Sequence, residues 1–202
     1  GLELRMLAHY MDDKDYTNEV INGDIHTANQ HLAGLESRDQ AKTFIYALLY
    51  GAGDEKLGTV AGGGRGAGSK LRERFMSNLP AYADLKDRTV TQAAQGCING
   101  LDGRKLHIRS EHAALNTLLQ SAGAIVMKKA LCLLQEYATL WNLDYYFVGN
   151  IHDEVQAEVR EDQADKYGRL AVSCLEAAGI ELGLNCKLTG DYQVGSSWAE
   201  TH

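Results

Sequence analysis

Residues 148–159, VGNIHDEVQAEV, place two adjacent carboxylates between short apolar stretches. Asp and Glu are uncommon in strands and are costly to bury without a partner. A turn at His152-Asp153 would project Asp153 and Glu154 from the tip of an apolar ribbon. Carboxylate oxygens there could bind a hard cation such as magnesium, which commonly takes only one or two protein carboxylates. A solvent-exposed turn explains the pattern equally well.

A second candidate is the segment 37–51, SRDQAKTFIYALLYG, in which Arg38, Lys42, Tyr46 and Tyr50 recur every fourth residue. On a helix such residues form one stripe. Two cations followed by two aromatic rings could hold a triphosphate and stack a base. From the spacing alone, an ordinary amphipathic helix whose basic side chains reach into solvent is the simpler interpretation.

Two further stretches carry weaker signals. Asn116 and Gln120 lie one turn apart on a predicted helix, where amides can read base edges, although solvent-facing amides are commoner. The segment 63–70, GGRGAGSK, approaches a phosphate-binding loop, but Ser69 and Lys70 are transposed and no hydrophobic strand precedes it. Its glycine count favours a flexible connector over residues 58–70.

The elements that must position these residues follow from periodicity, caps and turn residues. Helices are predicted over 2–11, 23–35 with Asp24 as N-cap, 37–51 with a capping box of Ser37 and Gln40 and a stop at Gly51, 71–94 with a break at Pro80, 114–140, and 161–179. Hairpins are predicted over 100–110 and 144–159, and one more strand is predicted in the tail, 187–202.

Charge and composition limit the classes of protein. The chain has 202 residues and a net charge of −7, but residues 34–105 hold eleven Lys/Arg against eight Asp/Glu. A basic middle between acidic ends suits an anionic ligand near a carboxylate metal site, and solvated surface charge explains it almost as well. Four widely spaced cysteines without a C-x-x-C pair argue against zinc. No uninterrupted apolar run reaches the ~18 residues of a membrane span, so no membrane partner is expected.

Taken together, these stretches resemble the C-terminal part of family A DNA polymerases, with replicative polymerases of short-tailed bacteriophages as the closest likeness. The matching stretches are GLELRMLAHYM (1–11) to the end of motif A, NGDIHTANQ (22–30) and RDQAKTFIYALLYGAGDEKLG (38–58) to motif B and its surroundings, GLDGRKLHIRSEHAALNTLLQSAGA (100–124) to the connecting palm segment, IHDEVQ (151–156) to motif C, and WAETH (198–202) to the closing W-A-x-x-H. The resemblance implies an α+β fold. A palm with an antiparallel sheet and flanking helices, residues 1–19 and 98–202, would carry an inserted all-helical fingers subdomain, residues 20–97.

The resemblance also implies roles at the metal and DNA sites. Asp153 would be a ligand of two catalytic magnesium ions, Glu154 would support it, and His152 would lie near the primer terminus. Three residues would face the nascent base pair and its minor groove, namely Tyr50, Asn116 and Gln120.

At the nucleotide site, the resemblance implies that Arg38, Lys42 and His26 bind the incoming triphosphate. Tyr46 would stack beside the sugar and base, and a tyrosine there goes with weak discrimination against 3′-deoxy nucleotides. Glu3 and Tyr46 would form the wall that excludes a ribose 2′-hydroxyl.

The implied activity is template-directed DNA synthesis from dNTPs on a primer-template, in the cytoplasm of a bacterial host cell. Family motif A reads D-x-S-G-L-E-L-R, whereas this chain opens at the glycine. We therefore expect the motif A aspartate and the thumb to come from an upstream segment or a separate subunit, with no exonuclease region here, and the isolated chain to be inactive. The alternative is a non-catalytic nucleotide- or DNA-binding remnant or accessory fragment.

Overall fold

The computed structural model describes residues 1–201. His202, which ends both the W-A-x-x-H match and the predicted 98–202 segment, lies outside the described residues. Two compact units are present, one formed by Gly1 and residues 3–120, the other by Leu2 and the residues from Ser121 onward. The assignment of 1–19, 20–97 and 98–202 to palm, fingers and palm stays a prediction.

Helices dominate the first unit, which also contains one short hairpin and, after it, the first turns of the next helix. In chain order the elements are α1 (Leu2–Met11), α2 (Lys14–Asn22), α3 (Ile25–Ala33), α4 (Arg38–Leu49), α5 (Asp54–Val60), α6 (Arg65–Asn78), α7 (Pro80–Ala93), β1 (Cys97–Asn99) and β2 (Lys105–His107). The sequence analysis does not predict α2. Its N-cap, Asp13, accepts a hydrogen bond from the Tyr16 amide, but Tyr16 is its only buried residue, so the apolar periodicity is weak.

Local signals place α3 and α4 where the sequence predicts them. The Ser37 hydroxyl accepts a hydrogen bond from the Gln40 amide at 3.2 Å, and the Gln40 side chain accepts one from the Ser37 amide at 3.2 Å. This reciprocal capping box satisfies two N–H groups that a helix start leaves without partners. Gly51 follows the helix with φ of 77°, a left-handed conformation that glycine adopts without steric cost.

Aromatic packing fixes the buried face of α4. The Phe44 ring meets the Phe75 ring of α6 edge-on at 5.5 Å, and Phe75 meets Tyr82 of α7 in the same way at 5.4 Å. All three rings are almost completely buried. Edge-to-face pairs add stability beyond the area that they bury, so α4, α6 and α7 are held in register.

Most of the glycine-rich segment is helical, so the flexible connector predicted over 58–70 is wrong except for residues 61–64, which join α5 to α6. Gly58 lies in α5 and Gly68 in α6, and both are buried. A Cβ on Gly68 would overlap the Asp54 carbonyl oxygen, and one on Gly58 would overlap the Gly64 carbonyl oxygen. Glycine here permits close approach of two helices, which composition alone does not distinguish from a loop.

The second unit is a helical layer on one face of an antiparallel ribbon. It contains α8 (Ala114–Leu140) from Ser121 onward, β3 (Tyr145–Ile151), β4 (Glu154–Val159), α9 (Ala164–Glu181) and the one-turn α10 (Trp198–Thr201). Its core comes from α8 and α9, including Leu133, Leu134, Tyr167 and Leu170, with Tyr145, Ala157 and Val159 of the ribbon packed against it. With the β1–β2 hairpin, this confirms an α+β fold with small antiparallel sheets.

Helix α8 bears on the expectation that the chain has no apolar segment long enough to span a membrane. Together with the preceding 3-10 turn, residues 111–140 are long and apolar enough to cross a membrane by length and composition alone. Half of its most apolar window is buried inside the fold, however, as in the core helix of a soluble protein. Counting only uninterrupted apolar runs overlooked this helix, because isolated polar residues divide it.

The predicted strand in the tail is absent from residues 187–201, and that prediction is wrong. The tail makes side-chain contacts with α9 instead of backbone pairing. The Tyr192 hydroxyl donates to the Asp165 carboxylate, and its ring covers Gly168, where a Cβ would overlap it. Leu188 packs against Gly179 in the same manner. These contacts anchor the tail without a β-ladder.

The helix contact at Gly68 yields a stability prediction. Gly68→Ala forces a methyl group against the Asp54 backbone, and overpacking of this kind costs about 1–3 kcal/mol of unfolding free energy. Gly66→Ala is the matched control, because nothing lies within 4 Å of its Cβ position. It should raise the unfolding free energy by up to about 1 kcal/mol through helix propensity. Urea denaturation measures both, and equal effects of the two substitutions would refute the close-approach explanation.

Candidate functional site

The start of α3 brings a carboxylate to a cationic helix. Asp24 caps α3 by accepting hydrogen bonds from the His26 amide at 3.1 Å and the Thr27 hydroxyl at 2.9 Å. The same carboxylate accepts a hydrogen bond from Arg38 Nε at 2.6 Å. The Arg38 guanidinium holds the pKa of Asp24 well below its usual range. This ion pair therefore orients Arg38 beside the first turn of α3.

The predicted stripe on α4 is present. Arg38 and Lys42 are exposed, Tyr46 is half-buried, and Tyr50 is 52% exposed. The Tyr46 and Tyr50 ring centroids are 6.3 Å apart with planes at 30°, and the His26 ring lies 6.2 Å from Tyr46. Two exposed cations, an imidazole and two aromatic faces thus follow one another along a single surface of the first unit.

His26 is held neutral by this environment. Burial lowers the pKa of His26, the neighbouring cations Arg38 and Lys42 lower it further, and Asp24 opposes them. At neutral pH the imidazole therefore carries one N–H and one bare nitrogen. Such a group can donate one hydrogen bond to an anion without adding a charge.

The side chains of Glu3 and Tyr46 both lie close to Gly1. A Cβ built on Gly1 would lie 3.1 Å from the Tyr46 hydroxyl oxygen and 3.6 Å from Glu3 Oε2. Gln120 Nε2 donates to Glu3 Oε1 at 3.4 Å, and Asn116 lies one turn before Gln120 on α8. The first unit thus places Glu3 and Gln120, predicted from separate parts of the chain, side by side.

The carboxylate turn lies in the second unit. Ile151 pairs with Glu154, which leaves a two-residue turn, His152-Asp153, as the sequence predicts. His152 has φ of 56°, a left-handed conformation that non-glycine residues adopt at a cost of about 1–2 kcal/mol. His152 and Asp153 are exposed, whereas Glu154 is half-buried and accepts a hydrogen bond from Gln156.

Carboxylate oxygens at this turn fit part of a magnesium site. Within residues 1–201, however, no three or more His, Cys, Asp or Glu side chains are grouped so that they could hold a metal ion. Asp153 and Glu154 are therefore the carboxylates that this turn offers. A pair of metal ions ~3.5–4 Å apart needs a further ligand from elsewhere.

Sequence reasoning did not find the Asp24–Arg38 ion pair or the Gln120–Glu3 hydrogen bond. The cap motif at Asp24 located the carboxylate, but the arginine is fourteen residues away. The second pair is separated by 117 residues. Neither separation corresponds to a helical or strand repeat, so neither leaves a periodic signal.

Comparisons with known proteins extend over almost the whole chain. The sequence profile of DNA polymerase family A matches residues 1–200. The DNA-directed DNA polymerases of Enterobacteria phage T3 and Escherichia phage T7 are each 41% identical over 227 residues, covering 100% of this chain and 32% of the relative. The chain thus spans about a third of the length of these relatives.

A solved structure shares the fold. The POL domain of Pol1 from M. smegmatis, in complex with DNA primer-template and dNTP, superposes with a TM-score of 0.82. The match covers 93% of this chain and 36% of that chain at 22% sequence identity.

The electrostatics of α3 and α4 yield a titration prediction. Asp24→Asn keeps a good helix cap but removes the negative charge, so the pKa of His26 should fall further. An NMR titration of the imidazole measures this. Asp39→Asn removes the same charge from an exposed position on α4 and serves as the control. An unchanged or raised His26 pKa in the Asp24 variant would show that this carboxylate does not act on the imidazole.

Proposed function

Because the chain belongs to DNA polymerase family A, we propose that it forms the nucleotide-binding part and a portion of the metal site of a DNA-directed DNA polymerase. The proposed reaction is attack of a primer 3′-hydroxyl on the α-phosphate of a dNTP, with pyrophosphate as the leaving group. The observation that carries the proposal is the surface on which Arg38, Lys42, His26 and Tyr46 follow one another.

The cations at the start of α4 would bind the triphosphate. Arg38 can present its planar guanidinium to phosphate oxygens, and Lys42 adds a point charge one turn later. Asp24 already holds Arg38 Nε, which limits the rotamers of the guanidinium before any anion arrives. His26, neutral at pH 7, would add a hydrogen-bond donor without further charge repulsion toward the two cations.

The aromatic end of the stripe would contact the sugar and base. The side chains of Tyr46 and Glu3 both lie close to Gly1. Together they would close the space beside the sugar and so reject a ribose 2′-hydroxyl. Further contacts to the nascent base pair and its minor groove would come from Tyr50, Asn116 and Gln120. Exposed aromatic faces stack bases without sequence preference, which suits an enzyme that copies any template.

The turn in the second unit would hold the metal. When bound, magnesium ions activate the attacking hydroxyl and neutralise charge on the phosphates. Asp153 would be a ligand, Glu154 would support it, and His152 would lie near the primer end. The short two-residue turn restricts where the Asp153 carboxylate can point. We propose that an upstream polymerase segment or a separate subunit supplies the remaining aspartate and a thumb, and that the enzyme acts in the cytoplasm of a bacterial host.

The second candidate function is nucleotide or DNA binding without catalysis. It would use the surface of Arg38, Lys42, His26 and Tyr46 and would require no metal site. The two candidates share the nucleotide surface and differ at the metal site. Separate tests of the two features therefore distinguish them.

Lys42→Ala tests the nucleotide surface. Loss of a charge-assisted phosphate contact, worth about 1.5–3 kcal/mol, should raise the dNTP dissociation constant about 10- to 100-fold. Lys56→Ala removes an exposed lysine from α5 of the same unit and should leave the constant within about twofold. Fluorescence titration measures both, and equal constants for the two variants would leave the amphipathic-helix interpretation in place.

Asp153→Asn tests the metal site in primer extension with magnesium and dNTPs. The chain is assayed alone and joined to the polypeptide that its gene encodes ahead of Gly1. We expect extension only in the joined form, and a more than about 100-fold loss in the variant, since an amide is a poorer ligand than a carboxylate. Glu158→Gln, on the exposed face of the same ribbon, is the control. Failure of the joined form to extend primers, despite dNTP binding, would favour the non-catalytic candidate.

A further inference from the structure

A group of buried polar atoms surrounds the inner side of His26, which belongs to the proposed nucleotide surface of Arg38, Lys42, His26 and Tyr46. The Tyr16 hydroxyl, both amide atoms of Asn29, and His26 Nδ1 are inaccessible to solvent, and none of them has a hydrogen bond of ordinary length and angle among residues 1–201, although the Tyr16 hydroxyl lies close enough to the Asn29 amide to interact with it. Asn29 is completely buried. Buried polar groups in native proteins are nearly always hydrogen-bonded, so four such atoms in one region require an explanation.

Helix geometry brings these residues together. His26 and Asn29 are three residues apart on α3, and helical side chains lean toward the N-terminus, so the Asn29 amide leans over the turn that holds His26. Tyr16 reaches the same region from α2. Burial raises the pKa of Tyr16, and the adjacent Asn29 amide partly opposes that rise. The Tyr16 hydroxyl therefore keeps its proton, so it has one O–H to donate and an oxygen that can accept.

The donor and acceptor inventory selects one arrangement. If Tyr16 donates to Asn29 Oδ1 and Asn29 Nδ2 donates to His26 Nδ1, one buried N–H is left over. If the amide is reversed, so that His26 Nδ1–H donates to Asn29 Oδ1, the Tyr16 proton also lacks an acceptor. Since each unsatisfied buried donor destabilises the folded chain, the first arrangement, which leaves fewer of them, is the more stable.

We propose that Tyr16 and Asn29 are positioning residues that hold His26 as the tautomer with its proton on Nε2. A small rotation of the Asn29 amide, or one buried water, completes the relay from the Tyr16 hydroxyl to His26 Nδ1. His26 then presents Nε2–H as the donor. The role of that donor, contact with a nucleotide phosphate, rests on the proposed function; the relay itself does not.

The charged groups around His26 set its charge rather than its tautomer. Burial and the cations Arg38 and Lys42 of α4 disfavour the protonated ring, and Asp24 at the helix cap favours it. These surroundings keep His26 neutral, and a neutral imidazole exists as one of two tautomers. In this proposal, the hydrogen bond from the buried Asn29 amide determines which tautomer is present.

The test is nitrogen NMR of the 202-residue chain without nucleotide. We expect His26 in the Nε2–H form and a scalar coupling across the hydrogen bond between Asn29 Nδ2 and His26 Nδ1. If a water completes the relay, the coupling is replaced by cross-peaks from both atoms to one slowly exchanging water. An Nδ1–H tautomer, or neither kind of correlation, overturns the proposal without requiring any variant.

Substitutions provide the second readout. Asn29→Asp replaces the donor with a carboxylate, so His26 should switch to the Nδ1–H tautomer and its pKa should rise. Asn22→Asp introduces the same charge at an exposed position of α2 and should not change the tautomer. Tyr16→Phe keeps the ring but frees the amide, and both His26 tautomers should appear. A folded Asn29→Asp chain that retains Nε2–H overturns the relay.

Nucleotide binding separates this inference from the proposed function. In the Asn29→Asp chain the dNTP dissociation constant should rise about tenfold, as expected for the loss of one hydrogen bond to a charged group. A tautomer switch together with dNTP affinity that neither Asn29→Asp nor Lys42→Ala alters would support the relay and overturn the proposed function. Loss of affinity in Lys42→Ala without a tautomer switch in Asn29→Asp would do the reverse.

Discussion

The packing of α4 is the constraint on which the proposed nucleotide surface, formed by Arg38, Lys42, His26 and Tyr46, depends. Its inward face is fixed by the chain of edge-to-face rings from Phe44 through Phe75 to Tyr82. Because a helix is rigid, fixing that face also fixes the azimuth of the opposite one, which carries Arg38, Lys42, Tyr46 and Tyr50. Rotation of α4 by one residue would bury a cation, so the aromatic core and the charged stripe support the same orientation.

Asp24 links this helix to its neighbour through one carboxylate. It caps α3, pairs with Arg38 and acts on the charge of His26. The Asp24 and Arg38 side chains are about half exposed, so solvent screens the ion pair and its contribution to stability is small. Its importance is geometric, because it sets the direction of a guanidinium before any ligand is present.

The second unit places the Asp153 carboxylate at the end of a ribbon that is packed against helices. Tyr145, Ala157 and Val159 of the ribbon pack against α8 and α9, while Tyr146, Phe147 and Val148 of β3 remain exposed. A register shift between Phe147 and Gly149 bends β3 just before the turn. Such bulges commonly re-aim the side chains that follow them, which here include those of the turn.

Local sequence signals determined most of the helices and both hairpins. The capping box at Ser37, the break at Pro80 and the turn at His152-Asp153 each depend on residues within one or two turns of each other, and the ordered motifs identified family A. Only the tertiary structure decided the features that join distant residues. These are the close approach of α5 and α6 at Gly58 and Gly68, the anchoring of the tail on α9, the partners of Arg38 and Gln120, and the burial of Asn29. Glycine-rich sequences occur both in loops and in tight helix contacts, and the sequence around a residue does not indicate a hydrogen-bond partner that lies 117 residues away. Packing decides both, because only the folded chain shows which groups must share one space.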